Sequence, residues 1–84
     1  MRHARAEALD ALEPFLTDLR AFPFLTERQR GVFYRGAKAW LHFHEDPAGL
    51  FADLKSQGDW LRFEVTGAAG RAALLAALGK QAAP

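Results

Sequence analysis

The stretch of residues 31–44 constrains the fold more than any other part of the chain. It contains two runs, residues 32–35 and 38–44, that are rich in aromatic and β-branched side chains and alternate in character. The intervening Gly36-Ala37 suits a two-residue type II′ turn, in which glycine adopts the required positive φ without strain. The stretch therefore predicts a β-hairpin.

Segments with helical or strand periodicity flank this hairpin. Apolar residues recur at helical spacing in residues 4–21, and a capping-box spacing predicts one helical turn at residues 26–29. Asp46-Pro47 is typical of a helix start and predicts a short helix over residues 48–55. Residues 60–65 alternate as a third strand, and residues 68–78 predict a final helix.

These elements predict a small two-layer α+β fold with the order α-β-β-α-β-α. Its helices would pack on a three-stranded, mainly antiparallel sheet. The third strand can lie beside the first or beside the second, since a right-handed crossover permits both arrangements.

Length and composition favour a single α+β domain over residues 1–84. The chain has 84 residues and no cysteine, so packing or a partner subunit must stabilise it without disulfides. No apolar run approaches the ~20 residues of a membrane-spanning helix. We therefore expect a cytoplasmic protein that does not enter a membrane.

The position of the turn predicts which side chains share a face of the sheet. With Gly36-Ala37 as the turn, Phe33 would pair with Trp40 and Val32 with Leu41. One face would then carry Leu41 and other apolar residues as a core. The opposite face would be an aromatic interaction face made of Phe33, Arg35, Trp40, His42, His44, Trp60 and Arg62.

An aromatic face of this size needs a cover, because monomers seldom expose contiguous apolar patches of more than a few hundred Å². The N-terminal helix, a second copy of the chain or a ligand could supply it. Our leading hypothesis is a non-enzymatic domain that acts by association, as a homodimer formed through this face. The sequence does not identify any other protein partner.

The pair His42 and His44 raises an alternative from another class. Alternate residues of a strand lie about 7 Å apart on one side, so the two imidazoles could form a metal or small-ligand site, with a catalytic role, if Glu64 converged on them. Two imidazoles without a thiolate or an assured carboxylate bind metal weakly. We therefore expect no stable metal site and no cofactor.

The sequence offers weak signals for two further functions, nucleic-acid binding and catalysis. Aromatic residues beside Arg35 and Arg62 imitate the stacking platform of proteins that bind single-stranded nucleic acid. The formal net charge is only +1 and no RNP-type signature is present, so we expect little such binding at physiological salt. The single serine, Ser56, has no histidine near it in sequence, and no enzymatic activity is predicted.

The central part of the chain also resembles a known kind of domain. The residues concerned are Phe33-Tyr-Arg-Gly-Ala-Lys-Ala-Trp-Leu-His-Phe-His-Glu-Asp-Pro-Ala-Gly-Leu-Phe-Ala-Asp-Leu54, followed by Trp60-Leu-Arg-Phe63. This run resembles a small bacterial α+β domain family without a characterised activity. The resemblance implies a stand-alone bacterial protein of about this length, and it transfers no cofactor or catalytic residue.

Overall fold

A computed structural model describes residues 1–83, which form two helices and one antiparallel sheet of six strands. The helices are α1 (Ala6–Leu19) and α2 (Ala68–Ala82), and neither is long and apolar enough to cross a membrane. The strands are β1 (Arg2–His3), β2 (Thr26–Gln29), β3 (Val32–Arg35), β4 (Lys38–Asp46), β5 (Gly49–Ser56) and β6 (Asp59–Glu64).

The predicted α+β class is confirmed, whereas the predicted element order and the three-stranded sheet are wrong. The order is β-α-β-β-β-β-β-α. The predicted helical turn at residues 26–29 is strand β2, and the predicted helix at residues 48–55 belongs to β5. An apolar run this short fits both the helical and the strand period. Asp46 accepts a hydrogen bond from the Ala48 N–H within a tight turn and does not cap a helix.

Strands β2 to β6 form a meander in which every connection is two residues long. The predicted hairpin turn is confirmed: Arg35 pairs with Lys38, and Gly36 has a φ of 60°. Between β5 and β6, both Gln57 and Gly58 have positive φ values, as in a type I′ turn. The last strand therefore lies beside β5 at the edge of the sheet, and β5 separates it from the predicted hairpin.

A β-bulge in β4 changes the register predicted for the far end of the hairpin. Phe33 pairs with Leu41 instead of Trp40, and Val32 pairs with His42. The extra residue in β4 shifts the pairing by one position, so β3 turns the opposite set of side chains towards the helices. Phe33 is consequently a core residue with 1% exposure, not part of an open aromatic face.

Both helices pack on the same side of the sheet, which we call the helix face. Phe15 of α1 contacts Phe43 of β4 edge to face, with 6.3 Å between ring centroids. The opposite side, which we call the open face, carries neither helix. Within residues 1–83 the buried apolar side chains belong to one cluster, made of Leu9, Leu12, Phe15, Leu16, Leu19, Leu25, Phe33, Leu41, Phe43, Ala52, Leu54, Val65, Leu74 and Leu78.

A matched pair of leucine substitutions tests this core. Leu41, Leu54 and Leu61 are neighbours across β4, β5 and β6 on the helix face, but Leu41 is fully buried and Leu61 is 46% exposed. Leu41→Ala should lower the free energy of unfolding by about 2–5 kcal/mol, because it leaves a cavity. Leu61→Ala should cost less than about 1 kcal/mol. Urea denaturation at low protein concentration measures both, and equal costs would contradict the assigned core.

A network of ion pairs joins α1 to β2 and the turn that follows it. Glu13 accepts hydrogen bonds from Arg20 and Arg30, and Arg20 also pairs with Glu27. Arg30 contacts Asp10 as well, at 2.7 Å. The hydrogen bonds from Arg20, and then those from Arg30, lower the pKa of Glu13 from 4.5 to about 2.

This pKa shift predicts a pH dependence of stability. Because Glu13 binds its proton more weakly when folded, its contribution to stability is complete above about pH 4.5 and is lost as the pH falls towards 2. The difference in free energy of unfolding between the wild type and Glu13→Gln should therefore shrink across this range. The control is Gln29→Ala on the exposed end of β2, which removes no titratable group, so its difference from the wild type should not change with pH. Urea titrations at several pH values make the comparison.

Candidate metal centre

The three histidines of the chain meet on the open face of the sheet. His42 and His44 are alternate residues of β4, so both side chains lie on the face opposite the buried Leu41 and Phe43. His3 lies on β1, which pairs with the far end of β4 and places His3 directly opposite His44. No other histidine exists in the sequence.

The imidazoles are close enough to share one ion. One nitrogen from each ring can be chosen so that all three atoms lie within 4.8 Å of one another. His42 Nδ1 and His44 Nε2 are only 3.0 Å apart. The ring centroid of His3 lies 5.0 Å from that of His44 and 5.8 Å from that of His42. Three nitrogens arranged in this way can act together as metal ligands.

A buried carboxylate stands beside the cluster. Asp53 of β5 pairs with His42 across the sheet and is 7% exposed, and its Oδ2 lies 3.1 Å from His44 Nε2. Arg62 of β6 donates to both carboxylate oxygens, at 2.8 and 2.9 Å. This two-pronged contact satisfies the charge of Asp53 and fixes the orientation of its carboxylate.

These contacts indicate where the hydrogen of His44 lies. An ionised carboxylate can only accept, so the short contact with Asp53 places a hydrogen on His44 Nε2. His42 Nδ1 can then accept from the same N–H with its lone pair. A metal ion held by both nitrogens would need the lone pair of His44 Nε2, so the His44 hydrogen would then have to lie on Nδ1.

The electrostatic environment keeps the groups in the forms that bind cations. Burial lowers the pKa of His42, and the neighbouring His44 lowers it further, so His42 is neutral and keeps its lone pair at pH 7. The hydrogen bonds from Arg62 lower the pKa of Asp53 despite its burial. A neutral imidazole and an ionised carboxylate therefore stand next to each other.

An aromatic and a basic side chain border the cluster on the side of β6. The Trp60 ring packs against His42 with 4.7 Å between centroids, and it is 42% exposed. The ammonium group of Lys55 lies 4.9 Å from the centre of the same indole ring. The cluster is thus walled by Trp60 on one side and reaches solvent through the exposed His3.

The residues predicted for the interaction face divide between the two sides of the sheet. On the helix side, Phe33 is buried, Arg35 stacks on Phe24 and Trp40, and Trp40 donates from Nε1 to Gln81 of α2. The open face holds the remaining four predicted residues, His42, His44, Trp60 and Arg62.

Glu64, the third ligand considered from the sequence, lies away from the histidine cluster. It pairs with Phe51, and Phe51 in turn pairs with His44, so an aromatic residue stands between them. The carboxylate of Glu64 instead lies beside Gly49, close to the end of β5.

Sequence reasoning missed His3 and Asp53, the two residues that complete the cluster. A strand of two residues has no detectable periodicity, so β1 could not be predicted from the sequence pattern. Asp53 was assigned to a helix that is in fact β5, and its partner across the sheet could not be known. The opposite charges of Arg2 and Glu45 were a signal in the sequence that these segments could pair. In the structure the two side chains form an ion pair at 2.7 Å.

Comparison with known proteins adds no further information. No protein-family profile, curated protein or solved structure matches this chain significantly. These comparisons therefore do not support the resemblance over residues 33–63, and the proposed function rests on the geometry of the chain.

Substitution of Asp53 tests the polar part of this site. Asp53→Asn should lower the free energy of unfolding by about 1–3 kcal/mol at pH 7, because it weakens charged hydrogen bonds to Arg62 at a buried position. Asp59→Asn, at the exposed start of β6, should change it by no more than about 0.5 kcal/mol. Urea denaturation compares the two, and an unaffected Asp53→Asn variant would show that the buried contact contributes nothing.

Proposed function

We propose that this protein binds a divalent transition-metal ion through His3, His42 and His44. The observation that carries the proposal is the convergence of every histidine in the chain on one point, with ligand nitrogens within 4.8 Å of one another. Two of these residues come from the centre of the sheet and the third from a separate strand. Their convergence therefore depends on the fold and is not a local effect of sequence.

The ligand set favours a borderline metal such as zinc, nickel, cobalt or copper. Imidazole nitrogens suit these ions, whereas calcium and magnesium prefer oxygen ligands. Tetrahedral coordination with Zn–N bonds of 2.0–2.1 Å requires nitrogens about 3.3 Å apart. The 3.0 Å separation of His42 and His44 is close to that value, and His3 is exposed and free to approach by rotation of its side chain.

Three protein ligands leave one coordination position for water or another ligand. Asp53 Oδ2 lies 3.1 Å from His44 Nε2, so its carboxylate, held in place by Arg62, would face the ion at this fourth position. The site would therefore have a rigid side, built on β4, β5 and β6, and an adaptable side at His3.

The two other functions considered from the sequence have less support. Association through an aromatic face, and stacking of bases on that face, both required Phe33 or Trp40 beside Trp60. Phe33 is in the core and Trp40 bonds to α2, so Trp60 is the only member of that trio on the open face. The cluster of imidazoles does not depend on those residues.

Calorimetric titration tests metal binding directly. The chain should be purified without a histidine tag and titrated with zinc and with nickel chloride at pH 7.5. We expect 1:1 binding with a Kd of about 1 μM or tighter, weakened at least about tenfold by His3→Gln and by His42→Ala. His3 is exposed, so His3→Gln should remain folded and isolates the loss of a ligand from loss of structure.

Glu64→Gln provides the matched control. It removes a carboxylate from the same face but outside the cluster, and its affinity for metal should equal that of the wild type. A thermal shift supplies a second readout, because an ion at about 100 times its Kd stabilises the folded state by about 2.7 kcal/mol. A wild-type Kd weaker than ~100 μM, or equal effects of Glu64→Gln and His3→Gln, would refute the proposal.

A further inference from the structure

The two end strands of the β2–β6 meander are built differently. β2, at one edge, is a four-residue strand of polar side chains whose register is broken by an irregularity between Glu27 and Gln29. Arg20 of α1 pairs with Glu27 at this edge. Short length, bulges and charges are the features by which natural sheets prevent further strand pairing. The edge formed by β2 is therefore protected against pairing with a further strand.

β6, at the other edge, lacks this protection. It pairs in unbroken register with β5 over six residues, from Asp59 to Glu64. Within residues 1–83 the exposed large hydrophobic side chains are Met1, Trp60 and Leu61. Two of the three are adjacent on this strand, with Trp60 on the open face and Leu61 on the helix face. A strand added beside β6 would cover both.

The backbone of β6 is oriented to receive such a strand. Asp59 flanks the two-residue turn, so it forms a hydrogen-bonded pair with Ser56, and the residues of β6 then alternate. The hydrogen bond from the Val65 N–H to the Leu50 carbonyl continues the same alternation. The N–H and C=O groups of Trp60, Arg62 and Glu64 consequently point away from β5, towards the free edge.

We propose that β6 pairs antiparallel with β6 of a second copy of this chain, about a two-fold axis at Leu61. In this register Leu61 faces Leu61 of the second copy, and Trp60 lies opposite Arg62 of the second copy on the open face. The Arg62 side chain is 52% exposed, so its guanidinium can stack on the indole while it holds Asp53. A register centred on Arg62 would oppose two like charges, and one centred on Phe63 would leave Trp60 beyond the paired strands.

The helix face has room for the two leucines at the axis. A groove of about 680 Å³ lies above Leu61, and α2 lines it with the small side chains Ala73, Ala76 and Ala77 and, one turn further on, with Lys80 and Gln81. Pairing at β6 would thus bury Leu61 of both copies between the sheet and these alanines. The interface uses none of the three histidines, but Trp60 contacts His42 and Arg62 holds Asp53, so the association is tested on the metal-free protein.

Sedimentation velocity of the metal-free protein tests the association. We expect the wild type to shift from monomer to dimer between about 1 and 200 μM, a range set by an interface of one short strand per copy. Leu61→Lys places a charge at the axis and should abolish the dimer. Thr26→Lys puts the same charge on the exposed start of β2 and should leave it unchanged. If the wild type stays monomeric at about 200 μM, the proposal is wrong, even if the free edge of β6 binds a different protein.

Cross-linking tests the register, because the natural chain contains no cysteine. Residues facing each other in a non-hydrogen-bonded antiparallel pair have Cα atoms about 4.5 Å apart, within the range that a disulfide spans. Leu61→Cys should therefore form a disulfide-linked dimer under mild oxidation. Phe63→Cys, which would face Asp59 of the second copy, should not. The reverse result, or no cross-link from either variant, would contradict pairing centred on Leu61.

Discussion

The pairing of β4 on both of its sides is the constraint on which the rest of the structure depends. This strand is hydrogen-bonded to β1 and β3 along one side and to β5 along the other. Its alternation sends Leu41 and Phe43 towards the helices and His42 and His44 away from them. A strand with a core on one face and a polar cluster on the other cannot slip by one residue without burying imidazoles and exposing the core.

The bulge at Trp40 lets one strand satisfy two different neighbours. Without the additional residue, Phe33 would face the polar side, and β3 would turn Val32 and Tyr34 towards the helices instead. With it, Phe33 lies under the helices and Trp40 reaches the amide of Gln81, which in turn donates to the Lys55 carbonyl. The bulge therefore supports both the core and the attachment of α2 to the sheet.

Part of this fold could be predicted from the sequence, because turn chemistry and alternation are local. Gly36 marked the hairpin, and the alternation of residues 60–65 marked β6. The bulge could not be predicted, since nothing in residues 38–44 distinguishes a regular strand from one with an inserted residue. β5 was mistaken for a helix because the apolar run between Pro47 and Gly58 is too short for its periodicity to distinguish a helix from a strand. His42 and His44 were found as a pair by their spacing, whereas His3 and Asp53 join them through pairings that only the folded chain reveals.

The short strand β1 has a consequence for how the chain folds. The meander from β2 to β6 closes only short loops, whereas β1 must return across α1 and the first hairpin to reach β4. Joining residue 3 to residue 44 closes a loop of roughly 40 residues, and the loss of chain entropy on closure grows with loop length. Contacts of this kind form late during folding and open early during local unfolding. The histidine cluster spans this seam, so any ligand held by all three rings would act as a cross-link at the place where the sheet is entropically weakest.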